Sequence, residues 1–304
     1  MRKGWFEFII VIFLIMKILH SFILLVLITF LVLFACKSLN QNGDDFALIL
    51  DDDNIWVEQF DSTNVDDSRY NHNNTIFKEH TSFIYSFKHL TKNNQRLSFK
   101  YIDSLSDWKF EPYSSKEERL FEKVSITVTK GLGQMSRGIP DYNQTVISYL
   151  YLNHTNNIAP FGSTSGVIEN EKNVWMHPPR DKYFKILELN PFPYIKAPYK
   201  IGNRWEWSLS IGDFWSDPRW LQWYGLVENT YNYEIIEKSR LKTALGNLNC
   251  FVIKSKATSR LGETELISYF HKKYGFVRLY YQNIDGSRTI LELEDVILLD
   301  AGSK

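Results

Sequence analysis

The chain has 304 residues, 35 basic against 35 acidic side chains, 15% aromatic residues and two cysteines. This balance has no basic excess and no Lys/Arg-rich block, which excludes nucleic acid as a partner. Two cysteines exclude a disulfide framework, and the aromatic content suffices to fill the core of one large or two modest domains.

From Phe8 to Ala35 the residues are apolar except for Lys17, His20, Ser21 and Thr29. That is long enough to cross a bilayer, which takes roughly 20 apolar residues. A lysine within such a span costs about 2.5 to 3.5 kcal/mol near its centre, so a single long helix is a poor fit. Read from Met16, the segment is instead a short basic region at Lys17, an apolar stretch from Phe22 to Phe34, and the small residue Ala35 before Cys36. This is the layout of a cleavable secretory signal. The expectation is translation from Met16, a signal over residues 1–35, Cys36 as the lipidated first residue of the mature chain, and a polar tether over 36–45. The alternative is an uncleaved transmembrane anchor ending in an ordinary cysteine. Loss of residues 1–35 leaves a slight acidic excess, and lipidation of Cys36 leaves Cys250 without a pairing partner. Set in the apolar run Phe251-Val-Ile, Cys250 reads as a small buried hydrophobe.

The body reads as mainly β. Over residues 46–165 strands are expected at 46–50, 54–60, 82–88, 96–102, 124–130 and 144–152. Ser115 and Glu118 make a capping box ahead of Leu120, Phe121 and Val124, predicting a short helix that runs into the strand. Six of the nine prolines fall between Pro160 and Pro198, predicting an irregular connector or flap, with a seam between a 46–165 region and a 166–304 domain. Beyond it the period-2 signal is clean. Arg204–Ile211 places Trp205, Trp207, Leu209 and Ile211 on one face and Arg204, Glu206, Ser208 and Ser210 on the other. Strands follow near 229–238, 248–257, 264–271, 275–283 and 288–297, with turns at Gly246-Asn247, Leu261-Gly262 and Asp285-Gly286. Asp217-Pro218 through Gly225 predicts one further helix, capped by Asp, started by Pro and stopped by Gly. The expected fold is a curved antiparallel sheet meander with one or two short helices.

Several motifs lack their required context. Gly162 to Gly166 has the outline of a nucleophile elbow, but Thr164 stands where the nucleophilic Ser belongs. Gly131-Leu-Gly133-Gln-Met-Ser136 lacks a third Gly, and Asp51-Asp52-Asp53-Asn54 lacks the Gly and terminal Glu of a calcium loop. The histidines at 72, 80, 89, 154, 177 and 271 have no zinc-site spacing, so no metal or cofactor is expected. Two features remain. In Trp175-Met-His-Pro-Pro-Arg180 the prolines stiffen the backbone, so His177 and Arg180 project from a rigid turn. Arg180 can pair with a carboxylate or phosphate, or Trp175 packs on the core while Arg180 makes an internal ion pair. The second feature is a tryptophan cluster at 205, 207, 215, 220 and 223. Trp205 and Trp207 share the apolar face with Leu209 and Ile211, while Trp215, Trp220 and Trp223 are candidates for a surface or groove.

Leu33-Phe34-Ala35-Cys36 resembles a bacterial lipobox. Together with TSGVIENEKNVWMHPPR, LELNPFP, GNRWEWSLSIGD and YGFVRLYYQNIDGS, it resembles a family of uncharacterised envelope lipoproteins of Bacteroidota. The resemblance covers the signal and roughly residues 164–296 and implies acylation (palmitate) of Cys36 and a place in the bacterial cell envelope, at the outer membrane. The order of strands and turns is also similar to periplasmic lipoprotein carriers whose curved sheets hold acyl chains. Asp61-Ser-Thr63 and Asp103-Ser-Leu105 are similar to a short O-glycosylation sequence of that phylum. The expected function is a non-enzymatic, membrane-anchored module for a protein, glycan or apolar ligand, with His177, Arg180, Trp215, Trp220 and Trp223 as candidate contacts. The alternative is an envelope hydrolase acting on glycan or peptide through a pair of acids that the sequence does not single out.

Overall fold

The structure, a computed structural model, describes residues 47–58, 73–113, 120–129 and 143–299. Cys36, the signal and the tether lie outside the described residues, as do Ser115, Glu118, His72, the Gly131–Ser136 motif and Asp61–Thr63. The described body is mainly β. Its strands are β1 (Leu48–Leu50), β2 (Trp56–Glu58), β3 (Thr81–Leu90), β4 (Arg96–Ile102), β5 (Asp107–Pro112), β6 (Leu120–Val128), β7 (Thr145–Asn153) and β8 (Ile158–Glu169). The second half adds β9 (Asn173–Met176), β10 (Tyr194–Lys196), β11 (Arg204–Ile211), β12 (Val227–Thr243), β13 (Gly246–Ser259), β14 (Gly262–His271), β15 (Gly275–Gln282) and β16 (Arg288–Leu298).

Strands β1 and β2 form a separate hairpin. The others form one antiparallel sheet in the order β10-β9-β8-β7-β6-β4-β3-β16-β15-β14-β13-β12-β11, with β5 paired to β4. Alternation explains the pairing. In β11, Trp205, Trp207 and Ile211 are buried while Arg204, Glu206 and Ser210 are exposed. Opposite them, Tyr233 stacks on Trp205 at 5.3 Å and Tyr231 on Trp207 at 4.7 Å. Register shifts at Ile235/Glu237 in β12 and Leu293/Asp295 in β16 insert extra residues that sharpen twist and curvature. The Asp285-Gly286 turn forms as expected: Gly286 takes φ of 80° and Ser287 N donates to the Asp285 carboxylate. The two ends of the sheet meet through rings, Tyr194 with Trp205 and Trp175 with Trp207, and so nearly close a barrel.

Both expected helices are absent where the structure describes their residues. From Leu120 on the residues ahead of Val124 are strand: Leu120 opens β6 and is paired with Lys100 of β4. At 217–225 the turn closes after one step. Leu221 N donates to Asp217 O and the two residues form an isolated bridge, while the Asp217 carboxylate receives Arg219 N. Asp217 thus caps a turn that does not propagate, because Trp220 and Trp223 are drawn into the core. Among the described residues the helices are 3-10 pieces at Asp103–Leu105, Lys182–Leu189 and Asp213–Trp215.

The proline-rich stretch is also not a peripheral flap. It contains β8, β9, β10 and the 3-10 helix Lys182–Leu189, and residues 173–179 and 186–195 are buried without a break. Proline here removes amide donors that the interior would otherwise have to satisfy. The remaining polar backbone is met by side chains of the sheet. Thr264 and Asn229 donate to Leu189 O at 2.8 and 3.0 Å, Tyr233 to Phe192 O at 3.0 Å, and Tyr149 to His177 O. The concave face is thus filled by the chain itself.

Phe99 sits at the centre of the filling, fully buried against Phe87, Trp108, Phe121, Phe161 and Phe184. Phe99→Ala is expected to destabilise the fold by about 3 to 5 kcal/mol through lost burial and a residual cavity. Urea unfolding followed by tryptophan fluorescence checks this.

Candidate functional site: the Arg180 groove

The motif Trp175–Arg180 leaves β9 and enters the interior. Trp175 packs on Phe192 and Trp207. His177 is buried, tilted against Phe192 at 4.5 Å, with Nδ1 3.1 Å from Pro178 O. That contact requires a proton on Nδ1, which leaves Nε2 as a lone pair facing Glu188 Oε2 at 3.8 Å. Burial, helped by the Arg180 charge, pushes His177 down to about 3, so the ring is neutral and this approach is not an ion pair.

Glu188 is the second buried ionisable group. It lies on the 3-10 helix that Asp181 caps by accepting Lys182 N at 2.8 Å. Only 2% exposed, it is pushed up to about 7 by burial, against the opposing pull of Arg180. Arg180 Nε stands 3.3 Å from Glu188 Oε1, and its guanidinium carbon lies 4.4 Å from the centre of the Trp215 ring. A cation over a tryptophan face is held by about 0.5 to 2 kcal/mol, so Trp215 and Glu188 fix the guanidinium from two directions.

Arg180 forms part of a surface groove of about 600 Å³. Ser148 and Tyr149 of β7, Ser163 and Thr164 of β8, and Lys185 and Trp215 line it with Arg180. Phe214 forms its rim, 70% exposed, with Lys185 Nζ 3.9 Å above its ring. The groove therefore joins two cations, two aromatic faces and a row of hydroxyls. One carboxylate, Asp181, is in the lining, and its position as the helix cap accounts for it. Thr164 lies mid-strand, exposed, with no strand-to-helix elbow around it.

Of the sequence candidates, the structure brings Arg180 and Trp215 together in this groove. His177 stands behind Glu188, away from the lining. Trp220 and Trp223 are 9% and 4% exposed and are core residues, not surface ones: Trp220 stacks on Trp108, and Trp223 packs with Leu189, Ile211 and Val227. Glu188, Lys185 and Phe214 were not singled out in the sequence. A glutamate between Leu187 and Leu189 in a buried segment is the one local signal that marked any of them. Cys250 is buried and free, its thiol pushed up to about 11 by burial. Among the described residues no cluster of ligating side chains is suited to a metal, and no helix is long and apolar enough to cross a membrane.

No family model and no curated protein sequence matches the chain. Solved structures give likenesses. One is a candidate lipoprotein from Parabacteroides distasonis, at 13% identity and TM-score 0.41, over 73% of this chain and 97% of that one. Another is a candidate exported protein with a YmcC-like fold from Bacteroides fragilis, at 9% identity and TM-score 0.36, over 73% and 97%. A third is the hypothetical lipoprotein YmcC from Escherichia coli, at 10% identity and TM-score 0.30, over 70% and 83%.

The two shifted groups make opposite contributions to stability. Folded Glu188 keeps a proton that the unfolded chain releases above its usual 4.5, so its contribution is lost as pH rises toward about 7. Folded His177 refuses a proton that the unfolded chain takes below 6.5, so its contribution is lost as pH falls toward about 3. Glu188→Gln removes only the first effect. The stability of this variant relative to the parent is expected to rise from pH 5 to about pH 7 and to level off above it, measured by denaturant unfolding at each pH.

Proposed function

We propose that the protein is a non-enzymatic lipoprotein of the cell envelope, anchored through acylated Cys36 at the outer membrane, whose β body binds a ligand or partner at the Arg180 groove. The anchoring half of this reading is supported by the sequence: the short apolar stretch after Lys17, the Leu33–Cys36 tetrad and the polar residues that follow. Two or more acyl chains give stable membrane attachment, where one gives only a marginal hold.

The observation that carries the binding half is Arg180 itself. A guanidinium braced by a buried carboxylate and a tryptophan ring, yet lining an open groove, is preorganised for recognition. The groove does not hold the two facing acids that glycoside hydrolysis uses, since Asp181 caps a helix and Glu188 is closed off beneath Arg180. Along the described residues the concave face is filled by the protein's own rings, and the Arg180 groove is polar and aromatic.

In cells given labelled palmitate, the parent chain is expected to take up label and to fractionate with the membrane, while Cys36→Ala does neither. Label or membrane retention in that variant defeats the lipoprotein reading. A photo-crosslinking residue at Thr164, exposed on the groove wall, is expected to give an adduct seen by intact mass. The same residue at Lys242, exposed on a distant hairpin, is expected to give none. Equal adducts at both positions defeat the groove as the recognition site.

A further inference from the structure

Arg180 has more binding capacity than the protein uses. Its Nε faces Glu188 at 3.3 Å, and neither Nη nitrogen has a hydrogen-bond partner among the described residues, although the side chain is 27% exposed. With Nε facing Glu188 and the guanidinium carbon 4.4 Å from the Trp215 ring centre, the Nη nitrogens are the part of the planar fork left without a partner. That edge is a fork suited to two oxygens of one group. Lys185 adds a second positive charge within the same lining, and its Nζ also approaches Phe214 O at 3.4 Å. The Phe214 ring beside it is largely open to solvent.

We propose that the Arg180 groove is an oxyanion-binding site that takes the carboxylate or phosphate of a ligand whose body carries a flat apolar ring. The inference rests on the groove being the recognition site, and it adds the ligand's chemistry. The fork of Arg180 receives the two oxygens, Lys185 supplies the second charge, and Phe214 and Trp215 receive the ring.

Glu188 sets how much of Arg180's charge is available. Around it stand Arg180 and His177 from the segment after β9, Tyr149 of β7 near Arg180, and Tyr231 of β12, whose hydroxyl reaches Glu188 O at 3.5 Å; its own helix also carries Lys185 and is capped by Asp181. His177 is neutral and burial holds both phenols protonated, so Glu188 is the buried group here that changes charge near neutrality. When it ionises it competes with an external anion for the same guanidinium.

Isothermal titration of the full chain in detergent, with small probes, tests this. Benzoate and phenyl phosphate are expected to bind, the tighter of the two identifying the carboxylate or phosphate source. Acetate and inorganic phosphate are expected to bind at least about tenfold more weakly, since they lack the ring that Phe214 and Trp215 receive. Arg180→Lys keeps the charge but loses the fork, and is expected to weaken binding about tenfold or more. Between pH 6 and pH 8 parent affinity for benzoate, whose own charge is constant over this range, is expected to fall, while that of Glu188→Gln stays flat; a merely structural Glu188 would not give this difference. Undiminished benzoate and phenyl phosphate binding in Arg180→Ala, with near-ultraviolet circular dichroism intact, overturns the oxyanion inference. Benzyl alcohol binding as tightly as benzoate also overturns it, but if that binding is lost in Trp215→Ala, the groove stands as the recognition site. Absence of binding by every probe overturns the oxyanion inference and leaves the groove to the crosslinking result.

Discussion

A nearly closed sheet has an inner face that cannot be left to water, and in this protein a single segment fills it. Residues 173–195 leave β9, pass through two consecutive prolines and a 3-10 helix, and reach the sheet again at β10. Their burial decides what the sheet residues must be. The tyrosines, Asn229 and Thr264 are where they are because interior carbonyls need donors. Those pairings make the filling specific in position, where an aliphatic core would be less so.

The same constraint explains the charge arrangement. A carboxylate inside an aromatic core is costly unless it is paired or protonated, and Glu188 is partly both. Arg180 faces one oxygen and a neutral imidazole faces the other. The arginine in turn cannot follow Glu188 into the core without losing its own hydration, so it stops at the surface where Trp215 covers one face. A buried glutamate thus places a fixed cation at the mouth of a groove. Proline at 178 and 179 gives that placement its stiffness, because the backbone leading to Arg180 has little freedom.

Much of the sheet was legible in the sequence where one strand face meets water, although β5 and the outer half of β8 were not. The alternation in Arg204–Ile211 and the Asp-Gly turn before β16 both identify their elements, because polar residues mark the outer face. Strands β8, β9 and β10 were not legible. Val174, Trp175 and Met176 are buried together, so alternation is lost, and the prolines around them imitate a loop. The 217–225 signals were real but local: Asp217 does cap, and Trp220 and Trp223 then pull the chain inward before a second turn forms. Arg180 could be named from its motif, whereas Lys185 and Phe214 could not, since only the folded chain brings a 3-10 helix beside the loop after β11.

Strand β16 lies between β15 and β3, in the middle of the sheet, and pairs with β3 across a separation of up to about 200 residues, as between Ser86 and Glu292. Among the described strands it is also the last to be synthesised. Until it is present, β3 and β15 are both open edges, and no strand pairing joins the two halves of the ladder. Contacts at such separation form slowly because the intervening chain must close first, and unpaired edges invite association with other chains. The topology therefore defers completion of the sheet until β16 is available. Forms of the chain that lack β16 are thus the species most in need of protection from aggregation.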